Sequence, residues 1–117
     1  MFFSVIMSVY NDENYISEAI ESILNQSFED FEFIIIDDFS DDKTPNIIKS
    51  YKEKDPRIKV KFNKKNKGLT PNLNYAVSIA KGSWIVRQDS DDFSLDDRLK
   101  DAFNLIKKNQ FDFYSTP

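Results

Sequence analysis

Short apolar runs and amphipathic stretches alternate along this chain. Phe3 to Val9 is rich in β-formers (Val5, Ile6, Val9) and has the length of a buried strand. Asn11 and Asp12 can cap the helix that follows, in which Ile16, Ala19, Ile20, Ile23 and Leu24 recur at helical spacing. A second apolar run, Phe31 to Ile36, stops at Asp37-Asp38. Thr44-Pro45 reads as a cap followed by proline at the first helical position, opening a helix with Ile47, Ile48 and Tyr51 on one side that closes at Asp55-Pro56. Ile58, Val60 and Phe62 alternate with lysines, as in a half-buried or edge strand. Thr70-Pro71 repeats the helix start, Leu73, Ala76, Val77 and Ala80 form an apolar face, and Gly82 offers a stop. Trp84 to Val86 is a fourth strand, with Trp84 assigned to the core. Ser94 to Asp97 has the spacing of a capping box before a helix carrying Leu99, Ala102, Phe103 and Ile106. Phe111 to Tyr114 reads as a fifth strand.

Regular strand–helix alternation predicts an α/β fold, a mostly parallel sheet flanked by helices. With 117 residues the chain is expected to be a single domain. It stops at Pro117 just after the last expected strand, with no closing helix, the pattern of a cut through a larger, truncated domain.

Composition narrows the chemistry. The chain is 40% hydrophobic and 31% charged, with eleven Phe and five Tyr, which is a globular rather than a disordered composition. It contains no Cys and no His, so disulfides, thiolate metal sites and His-based triads are excluded. Acid–base or metal work must fall to carboxylates, whose oxygens suit hard cations. The net charge of −4 argues against a nucleic-acid partner. Lys59, Lys61, Lys64, Lys65 and Lys67 cluster in what reads as a solvated segment. The start lacks the basic residues of a signal peptide, and no apolar run has membrane-spanning length, so a cytoplasmic setting is expected, or a peripheral one at the inner membrane face for a longer protein.

Ligands of open parallel α/β sheets bind beyond the carboxyl ends of the strands. The acidic clusters lie there: Asn11-Asp12 after the first strand, Asp37-Asp38 after the second, and Asp89-Ser90-Asp91-Asp92 after the fourth. Three such clusters on one rim repel one another unless a cation or hydrogen-bond donors sit among them. Residues two apart in an extended segment face the same way, so Asp89 and Asp91 can share a cation; the competing reading is a solvated turn before the next helix. Asp37-Asp38 can accept hydrogen bonds from a ribose or base, or be ordinary loop acids, as Asp41 and Asp42 are read. Lys67 in the Asn66-Lys67-Gly68 turn can reach a phosphate or base. Tyr10 suits either base stacking or core packing, and Arg87 can offset the nearby acids. The two glycines, Gly68 and Gly82, are too few for a dinucleotide loop or a P-loop.

Five segments together resemble the inverting GT-A-fold glycosyltransferases of the family 2 type, which include capsule and cell-wall polysaccharide enzymes. They are Ser4 to Asn11, Ser22 to Ser27, the Phe33–Thr44 stretch with its DDxSxDxT pattern, Asn66-Lys67-Gly68 followed by Asn74-Tyr75-Ala76, and Asp89-Ser90-Asp91-Asp92 with Arg98-Leu99. Ala76 stands where the family pattern has a second glycine. The resemblance implies a GT-A (Rossmann-like) fold and a nucleoside diphosphate-sugar donor, most commonly UDP-linked. It implies that Val9, Tyr10, Asn11, Asp37, Asp38, Lys67, Asp89 and Ser90 line the nucleotide-sugar site, with Asp38 at the imide edge of the base. Asp91, with Asp89, would bind a divalent metal, Mn2+ or Mg2+. The acceptor, a carbohydrate or a lipid-linked one, would be bound by an acceptor-binding half absent from these 117 residues, as would the general base, expected beyond residue 117. The alternative is a non-catalytic nucleotide-sugar-binding module. A receiver-like phosphoacceptor domain fits less well, because its acid pair should follow the first strand, and so does a phosphatase, whose D-x-D should come early in the chain.

Overall fold

The computed structural model describes residues 1–115, which form four strands and four helices. In chain order these are β1 (Phe3–Val9), α1 (Ile16–Leu24), β2 (Phe31–Asp37), α2 (Thr44–Lys54), β3 (Ile58–Phe62), α3 (Leu69–Ile79), β4 (Trp84–Arg87) and α4 (Arg98–Ser115). All strand pairings are parallel and the sheet order is β3-β2-β1-β4. The expected α/β architecture is therefore present, with every carboxyl end of a strand on one rim.

Side chains of a strand alternate between its two faces, and both faces of the central strands are covered. Val5, Met7, Val9, Phe33 and Ile35 join Ile16, Ala19, Ile20 and Ile23 of α1, Ile48 of α2 and Leu99 of α4 in the larger core. Ile6, Ile34 and Ile36 face the other way, onto Ala76, Leu73 and Ala80 of α3 and its end. Each fully buried Ile or Phe contributes roughly 1.5–3 kcal/mol, so the two central strands dominate the stability of the sheet. An edge-to-face contact of Phe2 with Phe103 (4.8 Å) fastens α4 to the start of the sheet, and one of Phe3 with Phe28 (5.4 Å) fastens the α1–β2 loop to it.

Beneath the sheet a single carboxylate joins three strands. Glu32 of β2 is buried, and it accepts hydrogen bonds from Ser4 Oγ of β1, from Lys59 Nζ of β3 (2.7 Å) and from the backbone N–H of Lys81 (2.6 Å). Ser4 Oγ in turn accepts the Gly82 N–H at 2.8 Å. A Cβ at Gly82 would stand 2.5 Å from backbone atoms of both Phe3 and Ser4, so only glycine lets the chain come this close before β4 begins.

Several local expectations are corrected. The apolar run Phe111–Tyr114 belongs to α4, not to a fifth strand: no Gly or Pro interrupts the chain between Ile106 and Ser115, so the helix propagates through it. Gly82 does not end α3, which stops at Ile79, three residues before the close approach to β1. Asn11 and Asp12 do not cap α1; Asn11 adopts a left-handed backbone (φ 48°), and the Asp12 carbonyl accepts the N–H groups of Tyr15 and Ile16. Thr44 and Leu69 are already helical, placing both Thr-Pro starts a residue or more inside their helices. Ser94 does not form a capping box, because its hydroxyl donates to Gln88. Trp84 is 42% exposed, since β4 is an edge strand of which Val86 alone packs against the larger core among the described residues.

Burial alone would raise the pKa of Glu32, but the bonds from Lys59, Ser4 and Lys81 prevail and lower it to about 2. A carboxyl depressed in the folded state stabilises fully above its unfolded value, and that stabilisation fades as pH falls toward the folded value. Glu32 is accordingly expected to contribute about 3 kcal/mol at neutral pH, of which roughly 2 kcal/mol is gone near pH 3. Urea unfolding of Glu32→Gln should show lower stability at neutral pH and a flatter acid limb than the wild type; equal acid limbs would contradict this account.

Candidate functional site

Four loops leave the carboxyl rim, and hydrogen bonds tie each to a neighbour. After β1, the backbone N–H of Asn11 donates to Ser40 Oγ (2.9 Å) and its Oδ1 accepts the Asp41 N–H (2.9 Å). Asn tolerates the left-handed backbone that this double contact requires. The Asp12 N–H donates to Thr44 Oγ1 at 2.9 Å, and the Glu13 N–H to Asp42 Oδ2 at 3.2 Å. Asp42 is thus not a merely exposed acid. Burial would raise its pKa, but hydrogen bonds from Thr44 and Glu13 outweigh that and lower it.

Asp37 and Asp38, adjacent in sequence, have different surroundings. Both are buried, at 2% and 7% exposure. Asp37 Oδ2 accepts the Ser40 N–H at 3.1 Å, while Oδ1 has no hydrogen-bond partner among the described residues. Asp38 Oδ1 accepts the Lys67 N–H (2.7 Å) and Asn63 Nδ2 (3.0 Å), and Oδ2 accepts the Gly68 N–H (3.1 Å). Asn63 Nδ2 also donates to Asn72 Oδ1, and Asn72 Nδ2 donates to Ser8 Oγ, a polar chain crossing from the β3–α3 loop back to β1. Desolvation pushes the Asp38 carboxyl up, yet the two backbone N–H groups and Asn63 hold it below the ordinary carboxylate range. Gly68, at φ 90°, supplies the backbone conformation that aims two successive N–H groups at one carboxylate.

The loop after β4 is organised from below by Gln88. Its buried Oε1 accepts Ser94 Oγ (2.6 Å) and Arg98 Nη1 (2.6 Å), and its Nε2 donates to the Asp92 carbonyl (2.8 Å). Arg98 Nη2 also donates to the Arg87 carbonyl at 3.0 Å. Ser90 Oγ reaches across to Asp12 Oδ2 (2.6 Å), joining the β4 loop to the β1 loop. Asp89 is half exposed and pairs with Arg87 at 3.2 Å, so Arg87 does offset local acid charge.

Asn11, Asp37, Asp38, Lys67 and Ser90 thus belong to one connected rim. Val9 takes part through its carbonyl, which accepts the Asp38 N–H at 2.8 Å, while its side chain is core. Tyr10 is 51% exposed and outside the core, leaving its ring free for a planar ligand. Asp91 and Asp89 project from the β4 loop, and among the described residues no three acids gather closely enough to cage a metal ion. A cleft of about 750 Å³ opens beside that loop, lined by Gln88, Asp92, Phe93, Leu95, Arg98 and Asp101 among others. None of the residues expected to contact a nucleotide lines it, and the cleft adjoins their rim through Arg87 and Gln88, which precede Asp89. Asp12 was expected on this rim, whereas Asn63, Asn72 and Gln88 were not anticipated as site-builders. The signal for them was faint: single amides, two just after strands and one inside α3, where buried polar groups must find partners.

The sequence matches Glycosyl transferase family 2 over residues 4–116. The chain belongs to that family. It is 43% identical over 109 residues to an uncharacterized glycosyltransferase of Methanocaldococcus jannaschii, covering 92% of this chain and 38% of that protein. The poly(ribitol-phosphate) beta-glucosyltransferase of Bacillus spizizenii is 39% identical over 113 residues, covering 93% of this chain and 18% of its own length. Among solved structures, S. aureus TarS 1–349 in complex with UDP-GlcNAc superposes with a TM-score of 0.87 at 37% identity, over 92% of this chain and 32% of that one. The mannosyltransferase PcManGT from Pyrobaculum calidifontis, in complex with GDP-Man and Mn2+, gives 0.72 at 26% identity, over 78% and 28%. The family 2 chain described here spans 38–42% of the length of the curated relatives that it matches at 42–44% identity.

Because Asp38 anchors two backbone N–H groups of the β3–α3 loop, Asp38→Ala should release that loop. The expected cost is about 2 kcal/mol of stability, with amide hydrogen exchange accelerated at Lys67 and Gly68 well beyond that in β1. Unchanged protection at both amides would contradict the anchoring role.

Proposed function

We propose that this chain is the donor-binding part of a metal-dependent, inverting glycosyltransferase acting in polysaccharide synthesis. The sugar would pass from a nucleoside diphosphate, with UDP the leading choice, to a hydroxyl of a carbohydrate or lipid-linked acceptor. The observation that carries this reading is the meeting of the β1, β2, β3 and β4 loops on one acidic, amide-lined rim with an exposed tyrosine beside it. Likeness to a protein solved with UDP-GlcNAc supports the choice of donor.

In this reading Tyr10 stacks on the base. Asp38 Oδ2 accepts one N–H from the protein, and a carboxylate oxygen has room for a second, which an imide N–H of the base can fill. Asp37, by fixing Ser40, holds Asn11 in place for the nucleotide. Lys67 and Ser90 close the rim from either side.

Asp89 and Asp91 would hold Mn2+ or Mg2+. Their oxygen-only chemistry fits such a cation, which is ordinarily bound by one or two carboxylates together with substrate phosphates rather than by a protein cage. When bound, the cation supplies charge neutralisation for the departing diphosphate. Arg87 pairs with Asp89 Oδ1, which leaves Oδ2 for the cation and keeps Arg87 beside the same negative charge. Inversion in one displacement also needs a base for the acceptor hydroxyl. We assign that base to an acceptor-binding part beyond residue 117, for which the greater length of the relatives leaves room. The cytoplasmic side of a membrane, where nucleotide-sugars are made, is the proposed place of action.

Calorimetric titration with UDP tests this reading. Wild-type protein should bind saturably and roughly tenfold more tightly with Mn2+, a gain of about 1.4 kcal/mol. Asp91→Ala should lose that gain and retain the metal-free affinity, whereas Asp38→Ala should bind more weakly in both conditions. Wild-type behaviour of Asp91→Ala in Mn2+ would remove the metal assignment, and a folded chain that ignores UDP altogether would remove the UDP reading.

A further inference from the structure

The Ser22–Ser27 segment, where α1 ends, directs its polar side chains to the stretch between β4 and α4. Gln26 is buried and uses both ends of its amide. Its Nε2 donates to the Leu95 carbonyl (2.7 Å) and to the Ser22 carbonyl (2.9 Å), and its Oε1 accepts the Leu99 N–H (2.9 Å). Ser22, also buried, accepts the Ser94 N–H on its Oγ at 3.0 Å. The exposed Ser27 donates its hydroxyl to Asp97 Oδ1 at 2.6 Å. One amide of α1 therefore spans from the β4 loop to the first turn of α4, residues about seventy positions further along the chain.

The stretch Asp89 to Asp97 has five Asp among nine residues and neither Gly nor Pro. Repulsion between its acids favours an expanded loop, and no residue in it restricts the backbone to one turn type. Its shape must come from bonds made from outside. Gln88 holds the near end through the Asp92 carbonyl, beside the turn that the Asp92 N–H closes onto the Asp89 carbonyl (3.1 Å). Gln26 holds the far end, and Ser94 joins the two, donating its hydroxyl to Gln88 and its N–H to Ser22. Asp89 and Asp91 stand between these two buried amides. We propose that Gln26 is a positioning residue for the cation held by Asp89 and Asp91: by staking the far end of the loop it keeps both carboxylates within reach of one ion. The inference rests on the metal-dependent donor reading. Cutting the support of a metal site ordinarily lowers its affinity roughly 10–100-fold although no ligand is removed. Were Gln26 only a satisfied core amide, its loss would lower stability everywhere and leave the cation's affinity as it was.

The test measures UDP binding by calorimetry across a series of Mn2+ concentrations, in the wild-type chain and in Gln26→Met, Ser22→Ala and Glu32→Gln. Gln26→Met removes every bond of the amide at similar length. It should need at least roughly tenfold more Mn2+ to reach half of its gain in UDP affinity, with its metal-free UDP isotherm unchanged. Ser22→Ala removes the acceptor of the Ser94 N–H and should shift the Mn2+ dependence in the same direction by less; it decides the matter if Gln26→Met does not fold. Glu32→Gln weakens the sheet at its opposite end and should keep the wild-type Mn2+ dependence. Without metal, amide exchange in Gln26→Met should accelerate at Asp92 and Ser94 more than at Val5 and Ile6. An unshifted Mn2+ dependence in the folded variants, an equal shift in Glu32→Gln, equal acceleration of exchange in β1, or a parallel loss of metal-free UDP binding would each overturn the inference and leave the donor reading intact. A wild-type chain whose UDP binding ignores Mn2+ would instead overturn the metal reading, and the inference with it.

Discussion

The rest of this structure depends on the burial of β1 and β2 on both faces. A strand with apolar neighbours above and below has no position for a charged side chain along most of its length. Polar groups are driven to its ends, and parallel pairing gathers one set of ends onto a single rim. The hydrophobic core and the acidic rim are therefore two results of the same constraint. The acids from Asp12, Asp37 and Asp38 and the Asp89–Asp92 segment stand together because their strands cannot carry them elsewhere.

Crowding of acids has a cost that the fold offsets in two ways. At the amino end of the sheet Glu32 is held ionised by a lysine, a serine and a backbone N–H, and it works as a structural pin across β1, β2 and β3. At the carboxyl end Asp38 and Asp42 are held ionised by backbone N–H groups of neighbouring loops. These acids are spent on fixing the loops. Asp89 and Asp91, exposed and lightly bonded, are the ones left available. The distinction between supporting and available carboxylates lies in the number of N–H donors around each, which sequence spacing does not record.

That difference marks the boundary of what could be read before the fold was known. Strand and helix positions were legible because the buried runs are long, uniform and separated by amphipathic segments of clear period, as in Phe31–Asp37 and Ile16–Leu24. Loop chemistry was legible only where residue type restricts the backbone. Gly68 was read as a turn residue and stands at the entry to α3 with a left-handed backbone, whereas Gly82 was taken for a helix stop because the approach of a distant strand leaves no local trace. The expected strand at Phe111–Tyr114 failed for a similar reason: four apolar-rich residues carry no period of their own, and the preceding helix decided their conformation. Trp84 was assigned to the core on hydrophobicity alone, although its burial depends on what lies beyond an edge strand.

The shortness of β4 has a thermodynamic consequence. Its four residues pair only with β1, three of them are exposed, and the carbonyl and side-chain bonds of Gln88 and Arg98 hold its far end. Such an edge is among the first parts of a domain to open in local unfolding. Yet the loop that follows this strand carries Ser90, which touches Asp12 of the β1 loop. Any ligand grasped by both loops is a fastener across the weakest seam of the sheet, and mass action adds its binding free energy to the opening cost of that seam first. Occupancy would then be reported less by the global melting of the chain than by slowed proton exchange along Trp84–Arg87.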